Sequence, residues 1–299
     1  MLVTLNEIMQ IAEAQKCAVG AFNGVNMTCA KAIISAAEEL NQPVILMHAQ
    51  VHEQMGLCKI DEIGHVLLFL ADKARVPVCV HLDHGEDLDN VKKALDLGFT
   101  SVMYDGSNLS EEMNIANTRI AVLLAKRTGA SVEAEIGSMG ARESGAGGSD
   151  ESIYTDPEDA AAFVEKTGIN ALACAFGTAH GIYLKQPKLD FDRLAAIKKR
   201  VDVPLVMHGG SGVSHEDYRK VISLGVRKIN YYTYMSKAGG TAAANMAVKA
   251  LVKAHVDAKE GGKPVTNTQA MTFFHDIEVA AQEGMKLDVM EAIKVFANL

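Results

Sequence analysis

The stretch PVCVHLDHGEDLDNVKKALDLGFTSVMYDG, residues 77–106, decides how the chain is read. An apolar run (77–83) ends in charged residues. A segment with apolar residues at helical spacing follows (88–98) and closes on Gly98. A second apolar run (99–104) then ends in Asp105. Nearly continuous apolar runs suit parallel strands covered on both faces. A strand, a glycine-stopped amphipathic helix and another strand make one βα repeat with the start of the next.

Working outward, the same alternation fills most of the chain. Further apolar runs lie at 17–23, 43–48, 130–136, 171–176, 204–209 and 226–230. Helical patterns at 29–40, 60–74 and 156–168 stand between them, the last with a cap and a proline at Thr155-Asp156-Pro157. Eight strands alternating with helices predict a (β/α)8 TIM barrel; a doubly wound open sheet would use the same alternation. No composition break divides the chain, so residues 1–299 read as one domain. The barrel reaches about residue 240, and a helical extension fills 241–299: TAAANMAVKALVKAH, a turn near 261–264, then two more helices. The low-complexity stretch GARESGAGGSDES (140–152) follows the fifth strand and reads as a mobile loop.

Composition narrows the function. The chain has 299 residues, 29 Lys+Arg against 37 Asp+Glu, and a formal net charge of -8. An acidic protein lacks the cationic footprint that nucleic acid requires. No stretch approaches the roughly 20 apolar residues of a membrane span, and no secretory signal is visible at the N-terminus. The five cysteines are scattered without framework spacing, which suggests reduced thiols in the cytoplasm.

In a barrel the carboxyl ends of the strands share one mouth. Asn23, His48, Asp83 with His84, Asp105, Glu135, His180, His208 and Asn230 all end or follow a strand. Three histidines and a carboxylate converging there suggest a metal, and imidazole with carboxylate suits zinc. The remaining histidines, His52 among them, carry no signal of this kind. Phosphate has a signal too. His208-Gly209-Gly210-Ser211-Gly212 bends directly out of the seventh strand, where barrels often hold phosphate on backbone amides. Gly177-Thr178-Ala179-His180-Gly181 offers further amides.

Several longer motifs carry a resemblance. GAFNGVN (20–26), HLDHGED (81–87), VEAEIGSMG (132–140), GTAHGIY (177–183) and PLVMHGGSGV (204–213) resemble the class II, metal-dependent ketose-bisphosphate aldolases. The resemblance covers residues 1 to about 235. It implies that His84, His180 and His208 bind one catalytic zinc ion. Glu135 is then an additional or alternate ligand. Asp105 either orients a ligand imidazole or replaces one. It implies Asp83 as general acid/base, with Glu143 on the loop after the fifth strand handling the other proton. Gly181, Gly209, Ser211 and Thr233 would hold the phosphate of dihydroxyacetone phosphate, with Na+ or K+ nearby. Asn230 would contact the enediolate, and Asn23 would help to bind substrate. The implied reaction is retro-aldol cleavage of a ketose 1-phosphate or 1,6-bisphosphate through a zinc-stabilised enediolate. The implied assembly is a homodimer or homotetramer.

Three departures bear on the aldehyde half. No arginine follows Arg227, where family members that cleave bisphosphates hold the distal phosphate with one. Asn230-Tyr231-Tyr232-Thr233 replaces the usual Asn-x-Asp-Thr, and His48-Ala49-Gln50 replaces Gln-Ala-Ser. Gln50 and Tyr232 are therefore the aldehyde-side candidates, and the aldehyde is expected to lack a phosphate. The rivals are a Schiff-base aldolase using Lys228, a zinc hydrolase or phosphosugar epimerase, and a binding protein without turnover.

Overall fold

The computed structural model describes residues 1–137, 154–183, 186–260 and 273–299. Eight parallel strands close on themselves in the order β1 to β8, because β1 pairs with β8 as well as with β2. That closure excludes the open sheet. The strands are β1 (Val19–Asn23), β2 (Val44–Ala49), β3 (Val78–Gly85), β4 (Ser101–Tyr104), β5 (Ser131–Ile136), β6 (Ala171–Cys174), β7 (Leu205–Met207) and β8 (Val226–Asn230).

The helices in chain order are α1 (Leu5–Gln15), α2 (Met27–Leu40), α3 (Gln50–Gln54), α4 (Ile60–Lys73), α5 (Leu88–Leu97), α6 (Glu111–Thr128), α7 (Pro157–Thr167), α8 (Phe191–Lys198), α9 (His215–Ser223), α10 (Thr233–Glu260) and α11 (Phe274–Phe296). Local chemistry sets many of their ends. Asp156 caps α7 by accepting from the Glu158 and Asp159 amides, with Pro157 in the first turn. Gly98, Gly129 and Gly168 close α5, α6 and α7 in the left-handed conformation.

Successive strand residues face opposite ways, and the two sets differ in chemistry. One set (Leu46, Val80, Leu82, Val102, Leu172, Met207 and others) joins the large apolar cluster between strands and helices. The other set fills the barrel interior. Its lower layers are apolar: Val19, Ala21, Ile45, Met47, Cys79, Ala171 and Val206 pack on Leu5, Ile8 and Met9 of α1. Its upper layers are polar: His81, Asp83, Ser101, Glu133, Glu135, His208, Lys228 and Asn230 are all buried. The strands are thus covered on both faces, but the inner face changes character toward the mouth.

The C-terminal region differs from its sequence expectation. The helix expected from residue 241 starts at Thr233, as the eighth barrel helix itself. Among the described residues after 260 there is one helix, α11, and the turn expected near 261–264 lies outside them. Gly284 does not break α11, because a side chain there would meet Ala242 Cβ at 2.6 Å and Ala238 O at 2.9 Å. It permits close approach of α10 instead. At its far end α11 docks on the barrel through Phe296, whose ring lies 4.9 Å from Tyr218 and 6.1 Å from Tyr231. Phe296 O also accepts from the Ala18 amide at 2.9 Å. Substituting Phe296→Ala is expected to cost about 3–5 kcal/mol of stability, read by denaturant unfolding. A loss under about 1 kcal/mol would show that α11 is not anchored there.

Candidate active site

The site is the polar upper layer of the barrel and the loops above it. His84 lies in β3, where the pairing with β4 shifts register between Leu82 and Gly85. The shift turns His84 into the left-handed region, φ 46°, uncommon for a residue with a side chain. Gly85 follows because a Cβ there would meet Met103 O at 2.6 Å. The bulge re-aims the imidazole over the mouth. His84 Nδ1 lies 2.6 Å from Asp105 Oδ2, and Nε2 lies 2.9 Å from His208 Nδ1. His180, in the loop after β6, puts its ring 4.9 Å from His84 and 5.9 Å from His208.

Beneath them, His208 Nε2 is 2.8 Å from Glu133 Oε1. Lys228 Nζ is paired with the same carboxylate at 3.1 and 2.9 Å. A carboxylate can only accept, so His208 donates from Nε2 and turns the Nδ1 lone pair toward His84. Burial raises the Glu133 carboxyl, but Lys228, His208 and His81 outweigh it and bring the pKa to about 2.

The donors fit a divalent cation. One ligand atom each from His84, His180 and His208 falls within a 4.8 Å cluster, and so does one each from His84, Asp105 and Glu135. His180 Nε2 and Glu135 Oε2 are buried without hydrogen-bond partners. Burial, then the Asp105 charge, hold the Glu135 carboxyl well above its usual range. Burial alone would depress His84, but Asp83, Asp105 and Glu135 reverse the sign and take it to about 10. Burial, His84 and His208 depress His180 to about 3. Buried carboxylates crowded around two neutral imidazoles are what a bound dication would stabilise.

Asp83 stands beside this cluster, 4.0 Å from His84 Nε2. Asn23 Nδ2 donates to its Oδ2 at 3.1 Å, and Asn230 Nδ2 donates to its Oδ1 at 2.9 Å. Burial would raise its pKa, but His84, His208 and Lys228 hold it far below the carboxylate range. Asp83 is therefore held ionised, with both carboxylate oxygens oriented by side-chain amides. Asn230 Oδ1 is buried and unpartnered.

The cleft above is lined by Asn23, Asp83, His84, His180, Gly181, Gly209, Gly210, Ser211, Asn230 and Thr233, together with Ala49, Val51, His52, Tyr231 and Tyr232. The glycine loop is packed tightly. A Cβ on Gly209 would meet Ala179 O at 2.4 Å, and one on Gly210 would meet Asn230 O at 2.7 Å. Tyr183 ties the loops after β6 and β7 together, accepting from the Ala179 amide at 2.7 Å and donating to Gly209 O at 2.9 Å.

The sequence profile described as "Fructose-bisphosphate aldolase class-II" matches residues 3–298. The chain belongs to the class II fructose-bisphosphate aldolase family. It is 44% identical over 234 residues to a 6-phospho-5-dehydro-2-deoxy-D-gluconate aldolase of Halalkalibacterium halodurans, covering 78% of this chain and 80% of that protein. It is 42% identical over 254 residues to a fructose-bisphosphate aldolase of Thermus caldophilus, covering 77% and 82%. The crystal structure of the YdjI aldolase of Escherichia coli K12 superposes with a TM-score of 0.81 at 31% identity, over 99% of this chain and 97% of that one. This class II aldolase is a carbon–carbon lyase, which sets aside the hydrolase, epimerase and silent-homologue readings.

Lys228 does not suit the Schiff-base rival. That chemistry needs a neutral amine with access to substrate. Lys228 is fully buried, ion-paired to Glu133, and absent from the cleft lining. Gln50 is also placed away from the substrate side. Its amide nitrogen donates to Asp87 Oδ2 at 3.0 Å, and its oxygen accepts from the Glu86 amide at 2.9 Å. It bridges to the loop after β3. Gln50 is not among the residues lining the cleft, whereas Tyr232 is. Glu143 lies outside the described residues.

Sequence reasoning missed Glu133, His81 and His52. The first two had a signal: they stand two residues before Glu135 and Asp83, on the same inward face of β5 and β3. His52 had none, because a short helix brings it back over the mouth.

Glu133→Gln is expected to weaken divalent-ion retention about 10–100-fold in chelator competition. Unchanged retention would show that His208 is oriented without Glu133. Uptake of the ion near neutral pH should also expel the His84 proton, read as buffer-dependent heats in titration calorimetry.

Proposed function

We propose that this aldolase uses a zinc ion to make and break a ketose 1-phosphate, with dihydroxyacetone phosphate as the nucleophilic half and an unphosphorylated aldehyde as the other. The observation that carries this reading is the meeting of His84 and His180, with His208 beneath them, at a cleft also lined by Asp83 and the Gly209-Gly210-Ser211 loop.

Zinc, when bound by the three imidazoles, supplies the Lewis acid that stabilises negative charge next to the donor carbonyl. The protein's own groups do the rest. In cleavage, Asp83 takes the C4 hydroxyl proton as the C3–C4 bond opens. Asn23 and Asn230 hold the two Asp83 oxygens, so its position is fixed before substrate arrives. The free Asn230 Oδ1 accepts a substrate hydroxyl. Glu143 returns a proton to C3. Backbone amides at Gly181 and Gly209, the Ser211 hydroxyl and Thr233 at the start of α10 hold the phosphate, with Na+ or K+ beside it.

Two observations support an aldehyde half without a phosphate. Among the described residues, no lysine or arginine lines the cleft, so a distal phosphate lacks a charged partner there. The relatives also differ: one is named for a substrate with a single phosphate, the other for a bisphosphate. The five cysteines are free thiols, in keeping with the cytoplasmic setting we propose, and no described helix is long and apolar enough to cross a membrane. We further propose that the protein assembles as a homodimer or homotetramer.

With metal-loaded protein, condensation of dihydroxyacetone phosphate with D-glyceraldehyde should exceed cleavage of fructose 1,6-bisphosphate at least about tenfold in kcat/KM, corresponding to one lost charge-assisted pair. Chelation should abolish both reactions, and borohydride with substrate should leave the protein active. Efficient bisphosphate turnover would overturn the aldehyde assignment; covalent trapping by borohydride would overturn the metal mechanism. Asp83→Asn should lower kcat by about 10²–10⁴ in a steady-state assay.

A further inference from the structure

The cleft has a wall that the chemistry above does not use. It is built by the end of β2 and by α3: Ala49, Val51 and His52, faced by Tyr232 from the loop after β8. Ala49 is in register with Asp83 on the neighbouring strand, so α3 rises beside the base that handles the C4 hydroxyl. On the donor reading above, this wall is the side left for the carbons of the aldehyde half.

His52 is the polar group in that wall. It is 4% exposed, and its ring rests on Tyr232 with centroids 4.9 Å apart and planes at 56°. Its buried Nδ1 has no hydrogen-bond partner. An imidazole fixed by an aromatic contact yet left with an unused polar atom is a group in need of a partner. Burial, opposed only in part by Asp83, depresses its pKa to about 4, so at neutral pH it carries no charge to offer a phosphate.

We infer that His52, braced on Tyr232, is the specificity-determining residue for the aldehyde half, hydrogen-bonding a hydroxyl of an uncharged hydroxyaldehyde. This rests on the donor reading above. The hydroxyl supplies the partner the ring lacks. An aldehyde without that hydroxyl leaves the ring unsatisfied, and a phosphate in the same place meets a neutral ring beside the Asp83 charge.

The test uses full-length, metal-loaded protein with dihydroxyacetone phosphate and two acceptors of similar size, D-glyceraldehyde and propionaldehyde. His52→Phe keeps a ring against Tyr232 and removes both nitrogens. It is expected to lower kcat/KM for glyceraldehyde about five- to tenfold and to change that for propionaldehyde less than twofold. His52→Gln restores a donor and acceptor and should recover most of the preference. Should the phenylalanine variant misfold, His52→Ala with the same two acceptors replaces it. A wild-type preference for glyceraldehyde that survives in every variant overturns the assignment. A second readout separates the two readings: exchange of the C3 proton of dihydroxyacetone phosphate with deuterated solvent, no aldehyde present. Absence of exchange in the wild type would sink the donor reading. Exchange in the wild type together with an unmoved acceptor preference would sink the His52 assignment alone.

Discussion

The site depends on one buried carboxylate. Glu133 is fully enclosed in the barrel, accepts a hydrogen bond from His208 and is ion-paired to Lys228. Two unpaired charges there would cost several kcal/mol each in lost hydration. Together they offset much of that cost, and the remaining Glu133 lone pairs lie toward His208 and, at 3.7 Å, His81. The arrangement is a platform on which an imidazole stands with a known tautomer. Removing either partner leaves a charge stranded in the interior, a loss of about 3–5 kcal/mol for a buried pair. The platform is thus a condition of folding as well as of function.

On that platform, the metal-facing cluster is assembled against its own electrostatics. His84 is held in a left-handed conformation by a strand irregularity, a local cost of order 1–3 kcal/mol. Asp83, Asp105 and Glu135 crowd around it, and Glu135 answers by favouring its protonated form. Such strain persists only where the surroundings over-determine it. Here the Asp105 contact to Nδ1, the Gly85 packing and the His208 contact to Nε2 supply that constraint. The same crowding of carboxylates and imidazoles is an arrangement that suits a divalent cation.

Much of this was legible in the sequence, and the reason is geometric. Parallel strands buried on both faces leave continuous apolar runs, and most runs ended near a polar residue at the shared mouth, whereas His48 of β2 turns away from it to Glu53 and Cys58. Asp83, His84, His180, His208 and Asn230 could be picked out because strand ends converge whatever the loops do. The layer beneath was harder. Glu133 and Lys228 sit inside strands that read as apolar, and only the two-residue period linking Glu133 to Glu135, and Lys228 to Asn230, marks them as inward. The α3 wall was illegible: five residues of helix between two strands decide that His52 faces the cleft while Gln50 turns to the loop after β3.

The two halves of the cleft therefore stand under different constraints. Asp83, His84, Glu133, His208, Lys228 and Asn230 are each other's counter-charges or hydrogen-bond partners, so a change at one unbalances the others. The α3 wall and Tyr232 carry no such mutual obligation with the barrel interior. They are supported by ring contact and by bonds to neighbouring loops, such as Gln50 to Glu86 and Asp87. Substitutions there alter what the cleft admits without disturbing the charges below. Relatives above 40% identity bear names for substrates with different phosphate counts and are both named aldolases. The carbon–carbon chemistry is fixed by a buried network that tolerates little change. The rim, where Tyr232 departs from the family pattern, is held by separate contacts.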